Sequence, residues 1–127
     1  MARNDLKGKV VLIAGGAKNL GGLLSLDLAA KGAKVVIHYN SEHTKEAAEN
    51  TLAAIHGVGG EAILFQADLT KVENIQRLFA AGVEHFGGID IGINTVGMVL
   101  KKPFLNTTEE ENDKMVAINS KVGYFFI

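Results

Sequence analysis

The 127-residue chain has no cysteine and one proline, Pro103, and its charges nearly cancel, at a net −1. Without thiols there is no disulfide framework and no thiolate metal site, which fits a reducing compartment. The balanced charge leaves no electrostatic footprint for a general nucleic-acid or membrane-surface binder. No apolar run approaches the length of a membrane span, and the first seven residues, MARNDLK, lack the apolar core of a signal peptide. The histidines, His38, His43, His56 and His85, show no metal-ligand spacing. They are expected at the surface or at helix ends, and no metal is assigned. What these absences leave is a globular chain of one domain at most, 47% hydrophobic and 21% charged, with the cytoplasm as its expected location.

What is present is a regular alternation of apolar runs and helical periodicity. Residues 10–14 predict a first strand, and residues 19–31 a helix rich in leucine (Leu20, Leu23, Leu24, Leu28) and therefore expected to pack deeply. Gly32 suits the position just past its end. Residues 35–37 predict a second strand, and residues 43–56 a helix with Ala47, Ala48, Leu52 and Ile55 at helical spacing. A third strand is expected over 62–67. Thr70 and Glu73 form a capping-box pattern for a third helix, striped by Val72, Ile75, Phe79, Val83 and Phe86 and ended by Gly87. Residues 89–94 predict a fourth strand. Beyond a longer connection, Thr108 and Glu111 open another helix with Met115, Ile118, Val122 and Phe126 on one side. Strands that each precede a helix specify an α/β, Rossmann-like, doubly wound parallel sheet. Right-handed crossovers give the strand order 3-2-1-4, with a ligand crevice at the carboxyl ends of strands 1 and 4.

The stretch Ala14–Gly22, reading AGGAKNLGG, lies between the first strand and the first helix. Gly15 and Gly16 permit a tight turn with positive φ and close approach of a ligand to the backbone. The helix that follows aims unpaired N–H groups and a positive dipole end at an anion. A nucleoside-triphosphatase loop would end in Lys-Ser/Thr, but Gly21-Gly22-Leu23 stands there, which disfavours ATP or GTP hydrolysis.

From this turn onward the chain resembles the short-chain dehydrogenase/reductase family, whose turn reads Thr-Gly-x-x-x-Gly-x-Gly. Gly15 and Gly21 match, Ala14 stands for the threonine, and Asn19 stands for the middle glycine. Asparagine is the non-glycine residue best suited to a left-handed conformation or a helix cap. The resemblance implies that Gly15, Lys18, Asn19, Leu20 and Gly21 hold the cofactor. It further places Asp68, with Leu69, against the adenine ring; the bland reading of Asp68 is an acid at a helix start. Asn94-Thr95-Val96-Gly97 is similar to the family's Asn-Asn-Ala-Gly, and Asn119 to its catalytic asparagine, with a structural hydrogen bond as the alternative role.

The second strand bears on cofactor choice. A carboxylate about 20 positions past the turn usually binds the NAD ribose. Here the chain reads His38-Tyr39-Asn40-Ser41, with Glu42 as the first acid. Lys18 matches a position where NADP-using members often carry a basic residue. NADP(H) is thus expected, through Lys18, Tyr39, Asn40 and Ser41, with NAD(H) as the alternative if Glu42 serves as the ribose acid.

The family's chemistry also requires a Ser and a Tyr and Lys four residues apart. The two tyrosines here, Tyr39 and Tyr124, supply no such pair. The sequence is therefore read as residues 1–127 of the N-terminal, dinucleotide-binding half of a longer single-domain oxidoreductase, inactive alone. The enzyme would act on a small-molecule carbonyl or alcohol, a 3-oxoacyl thioester among the candidates. The apolar end Val122, Tyr124, Phe125, Phe126 and Ile127 is expected to need covering, and the resemblance implies a homodimer or homotetramer. The alternative is a free-standing, non-catalytic dinucleotide-binding or interaction module.

Overall fold

The computed structural model describes residues 6–95. Strands β1 (Val10–Ala14), β2 (Lys34–Tyr39), β3 (Glu61–Gln66) and β4 (Ile91–Asn94) alternate with helices α1 (Asn19–Ala30), α2 (Glu42–Gly57) and α3 (Val72–Phe86). All pairings are parallel, in the order β3-β2-β1-β4. This is the doubly wound sheet that the alternation predicts.

β1 lies at the centre and is buried along its whole length, which is why its sequence, VVLIA, is a continuous apolar run. Val11 and Ile13 face one side with Val35 and Ile37 of β2, packed on Ala29, Ala48 and Ile55 of α1 and α2. Val10, Leu12 and Val36 face the other side, against Leu69 and against Ile75 and Leu78 of α3. Burying each of the larger side chains is worth about 1.5–3 kcal/mol. The register sets Ala14 beside Asn94 and Tyr39 beside Gln66, so all four strands end at one edge.

Three local expectations are corrected. α1 packs through only some of its leucines: Leu24 and Leu28 lie partly buried against the core, while Leu20 and Leu23 are 63% and 70% exposed. Its fully buried positions are Gly21, Ser25 and Ala29, one small residue per turn; a Cβ on Gly21 would overlap the Gly15 carbonyl, and the Ser25 hydroxyl bonds the Gly16 carbonyl. α3 does not open with the Thr70–Glu73 capping box. Lys71 is its N-cap, because Thr70 is bound to Asp68 instead. β4 begins at Ile91, since Ile89 turns inward against α3, where a Cβ on Gly82 would overlap its Cδ1 atom. Asp90 then closes the end of the ladder, its Oδ2 accepting the Val10 N–H at 2.8 Å while its own N–H donates to the Val10 carbonyl at 2.9 Å.

Glycine ends α3 as expected: Gly87 has φ +89° and donates to the Val83 carbonyl at 2.8 Å. The expected helix opening at Thr108, with Val96, Gly97 and Asn119, lies outside the described residues.

Candidate functional site

The carboxyl edge of the sheet brings together the glycine turn, the end of β2, the loop after β3 and the end of β4. The chain leaves β1 toward β2 on one side and returns to β4 on the other, which makes the β1–β4 boundary the topological switch point of the sheet.

The turn is held from several directions. Gly15, at φ +75°, donates its N–H to Nδ1 of His38 at 3.0 Å, and Gly16 donates to the His38 carbonyl at 3.0 Å. The buried Ser25 hydroxyl shares its proton between the Gly16 and Gly21 carbonyls, at 2.9 and 2.8 Å. Thr51 of α2 donates to the Ala17 carbonyl at 2.6 Å. From the other side, Thr95 donates to the Ala14 carbonyl through its hydroxyl at 2.7 Å and its N–H at 3.0 Å. Gly21 has no room for a side chain, because a Cβ there would overlap the Gly15 carbonyl. Asn19 takes the left-handed conformation, at φ +54°, as its substitution for glycine requires.

These bonds redistribute the expected roles along the turn. The amides of Gly15 and Gly16 are consumed inside the protein. The donors that remain for an anion are the first-turn amides of α1, at Asn19, Leu20 and Gly21, ahead of the first helical bond from Gly22 to Lys18. No acidic residue lies in that first turn, and Lys18, the N-cap, is exposed beside it. The helix dipole, the open amides and the lysine all favour negative charge at one place.

At the end of β2 the four expected contributors separate by burial. Tyr39 is only 9% exposed and belongs to the core on the α1–α2 side. Asn40 is exposed, and Ser41 is the N-cap of α2, its N–H donating to Thr44 Oγ1 at 3.4 Å. Glu42 is exposed in the first turn of α2.

The loop after β3 is built around Asp68. Its Oδ1 accepts the Thr70 hydroxyl at 2.6 Å and the Thr70 N–H at 3.0 Å. The Thr70 hydroxyl bond, with smaller help from the Thr70 amide and from Lys71, holds the Asp68 carboxyl below the usual carboxylate range. Asn74 of α3 donates to the Asp68 carbonyl at 3.0 Å. Leu69 is buried beneath, so the carboxylate stays exposed on a fixed loop.

The expectation that every histidine lies at the surface or a helix end is wrong for His38, which is 2% exposed. Its Nε2 stands 2.7 Å from the Ala67 carbonyl. That contact requires a proton on Nε2, and the Gly15 contact requires none on Nδ1. His38 is therefore the neutral Nε2–H tautomer, and burial pushes its pKa below the ordinary value. His38, Ser25 and Thr51 are the residues that sequence reasoning missed. The signal for His38 was there: in a strand buried on both faces, its position two after Val36 is interior. Among the described residues no group of three or more His, Cys, Asp or Glu residues could hold a metal. A groove of about 400 Å³ lies at the opposite, amino end of the sheet, lined by Lys7, Gly8, Gly32, Lys34, Gly60 and Glu61.

The sequence pattern of the short chain dehydrogenase family matches residues 9–127. The chain belongs to this family. As a short chain dehydrogenase it is 38% identical over 120 residues to a hydroxynaphthalene reductase of Aspergillus fumigatus, with 94% of this chain and 43% of that protein covered. Among solved structures, a dehydrogenase from Burkholderia cenocepacia with bound NADP is 55% identical, with a TM-score of 0.91 over 99% of this chain and 48% of that one. A short-chain dehydrogenase from Oenococcus oeni is 43% identical, with a TM-score of 0.83 over 96% of this chain and 55% of that one. The chain thus spans about half the length of these relatives. Among the described residues, no helix is long and apolar enough to cross a membrane.

Proposed function

We propose that this chain is the cofactor-binding half of an NADP(H)-dependent oxidoreductase acting on a small carbonyl or alcohol substrate. The observation that carries the reading is the charge pattern at the carboxyl edge. Lys18 is exposed at the N-terminus of α1, and the end of β2 with the two residues after it, His38-Tyr39-Asn40-Ser41, carries no carboxylate. An acid there would accept a ribose hydroxyl and repel a 2′-phosphate; a cation with polar neighbours favours the phosphate. The NADP held by the 55% identical Burkholderia cenocepacia dehydrogenase supports the same choice.

The residues fit such a cofactor. The α1 amides at Asn19, Leu20 and Gly21 would receive the pyrophosphate, and the missing side chain of Gly21 keeps the helix start close to the turn. Lys18, with Asn40 and Ser41, would receive the 2′-phosphate. The buried Tyr39 would shape the pocket floor from within the core. Asp68 and Leu69 would flank the adenine, and Asn94, Thr95, Val96 and Gly97 would line the nicotinamide side near Asn119. When bound, the reduced nicotinamide supplies the hydride that the reaction consumes.

Proton transfer requires the Ser and the Tyr–Lys pair, which we place beyond Ile127, in the length that the relatives have and this chain does not span. A 3-oxoacyl thioester is one substrate of the right class. Domain 1–127 is then one half of a single folding unit, working as a dimer or tetramer in the cytoplasm.

Calorimetric titration of the full-length protein with NADPH and NADH tests the reading. NADPH should bind more tightly, and Lys18→Ala should weaken NADPH about fivefold to tenfold while leaving NADH nearly unchanged. Preference for NADH, lost in Glu42→Gln, would reverse the cofactor assignment.

A further inference from the structure

We propose that His38 is a positioning residue for the dinucleotide: one neutral imidazole sets the glycine turn against the loop that carries Asp68, and protonating it weakens cofactor binding. The proposal rests on the cofactor reading above and assigns it a control point.

The geometry is specific to an imidazole. Nδ1 accepts the Gly15 N–H at 3.0 Å and Nε2 donates to the Ala67 carbonyl at 2.7 Å, so one ring spans from the turn to the residue before Asp68. The backbone repeats the link, Gly16 donating to the His38 carbonyl at 3.0 Å and Ala67 to the Tyr39 carbonyl at 3.1 Å. The same Ala14–Gly15 peptide is gripped at its other end by Thr95, whose hydroxyl donates to the Ala14 carbonyl at 2.7 Å. That peptide starts the turn with Gly15 at φ +75°, and its orientation fixes where the α1 amides point. A proton on Nδ1 would set N–H against N–H at Gly15, leave that half-buried amide without its acceptor and release one end of the peptide.

The charged surroundings are sparse. Asp68, on the loop that His38 holds, favours the protonated form and is, among the described residues, the one charged group whose field bears on it. β1, the turn from Gly15 to Ala17, and β3 between Ala62 and Phe65 carry no ionisable side chain, while Glu73 and Arg77 of α3 pair with each other in the open. Burial outweighs Asp68, so the ring stays neutral at neutral pH and takes its proton only in acid. Asp68 is thus held in place by the residue whose charge it would stabilise.

The test measures NADPH affinity of the full-length protein at about pH 8 and about pH 5 for wild type, His38→Asn and His38→Leu. Asparagine offers Gly15 an acceptor that does not titrate; leucine offers neither contact. At the higher pH, His38→Asn should bind within about threefold of wild type, and His38→Leu about tenfold more weakly. The weakening from high to low pH should be at least about fivefold larger for wild type than for His38→Asn, a ratio in which the cofactor's own titration cancels. Equal pH responses of wild type and His38→Asn would overturn the proposal, and so would full-strength binding by His38→Leu. If His38→Leu does not fold, the wild type and His38→Asn pair decides alone. Failure of wild type to bind either NADPH or NADH would overturn the cofactor reading itself and the proposal with it; pH-independent binding overturns only the role of His38.

Discussion

Gly21→Ala adds a single methyl group at the tightest point of the structure. Its Cβ would overlap the Gly15 carbonyl oxygen and lie 2.7 Å from the Gly15 carbonyl carbon and 3.0 Å from the Gly16 Cα. All three are backbone atoms, fixed by the His38, Ser25 and Thr95 bonds, so no flexible side chain can yield. The start of α1 must move away, which also stretches the Ser25 bond to the Gly16 carbonyl. Forcing a methyl into a packed site costs about 1–3 kcal/mol, and this backbone site belongs at the upper end. The α1 amides move with the helix, so dinucleotide affinity should fall about tenfold or more. Gly57→Ala is the control, because nothing lies within 4 Å of a Cβ there. It should be neutral or stabilise by up to about 1 kcal/mol, by restricting the unfolded chain. Urea unfolding of the full-length variants reads the stability, and NADPH titration reads the affinity. A Gly21→Ala protein as stable as Gly57→Ala, with wild-type affinity, would refute the close-approach argument.

Ser25→Ala leaves two buried carbonyls without their shared donor and should cost about 1–3 kcal/mol in urea unfolding. Leu78→Ala, in the core beneath the Asp68 loop, should cost about 2–5 kcal/mol with little change in nucleotide selectivity. The lowered pKa of buried His38 means that the unfolded chain binds the proton more readily, so stability is complete above about pH 6.5 and falls as pH drops below it. His38→Asn should remove that slope from unfolding curves across the window. Asp68 has its own lowered pKa, so its small, solvent-screened contribution is present above about pH 4 and lost in stronger acid. Asp68→Asn should flatten only that lower window.

Strand order was legible because the buried strands are continuous apolar runs and parallel connections have one hand. The Asn19 conformation was legible too, since replacing a turn glycine with asparagine leaves one inexpensive conformation, and φ +54° is that one. What periodicity could not show was the use of polar side chains across long separations. His38 reaches Gly15 and Ala67, and Thr51 reaches Ala17, from 23, 29 and 34 residues away. The Thr70–Glu73 box was lost to a local competitor: Asp68 bonds the Thr70 amide two residues on and takes its hydroxyl as well, which shifts the helix start to Lys71. The leucines of α1 suggested deep packing, which Leu24 and Leu28 partly meet, but close approach to the turn selects Gly21 and Ser25 for the buried face there and leaves Leu20 and Leu23 outward.

A crystal structure of the full-length protein with NADP(H) tests the central claim most directly. The account predicts the pyrophosphate on the α1 amides from Asn19 to Gly21, the 2′-phosphate within hydrogen-bond reach of Lys18, and the Gly15 amide still bonded to His38. A cofactor bound at the amino-end groove lined by Lys7 and Lys34, or a pyrophosphate that has taken the Gly15 amide from His38, would contradict it.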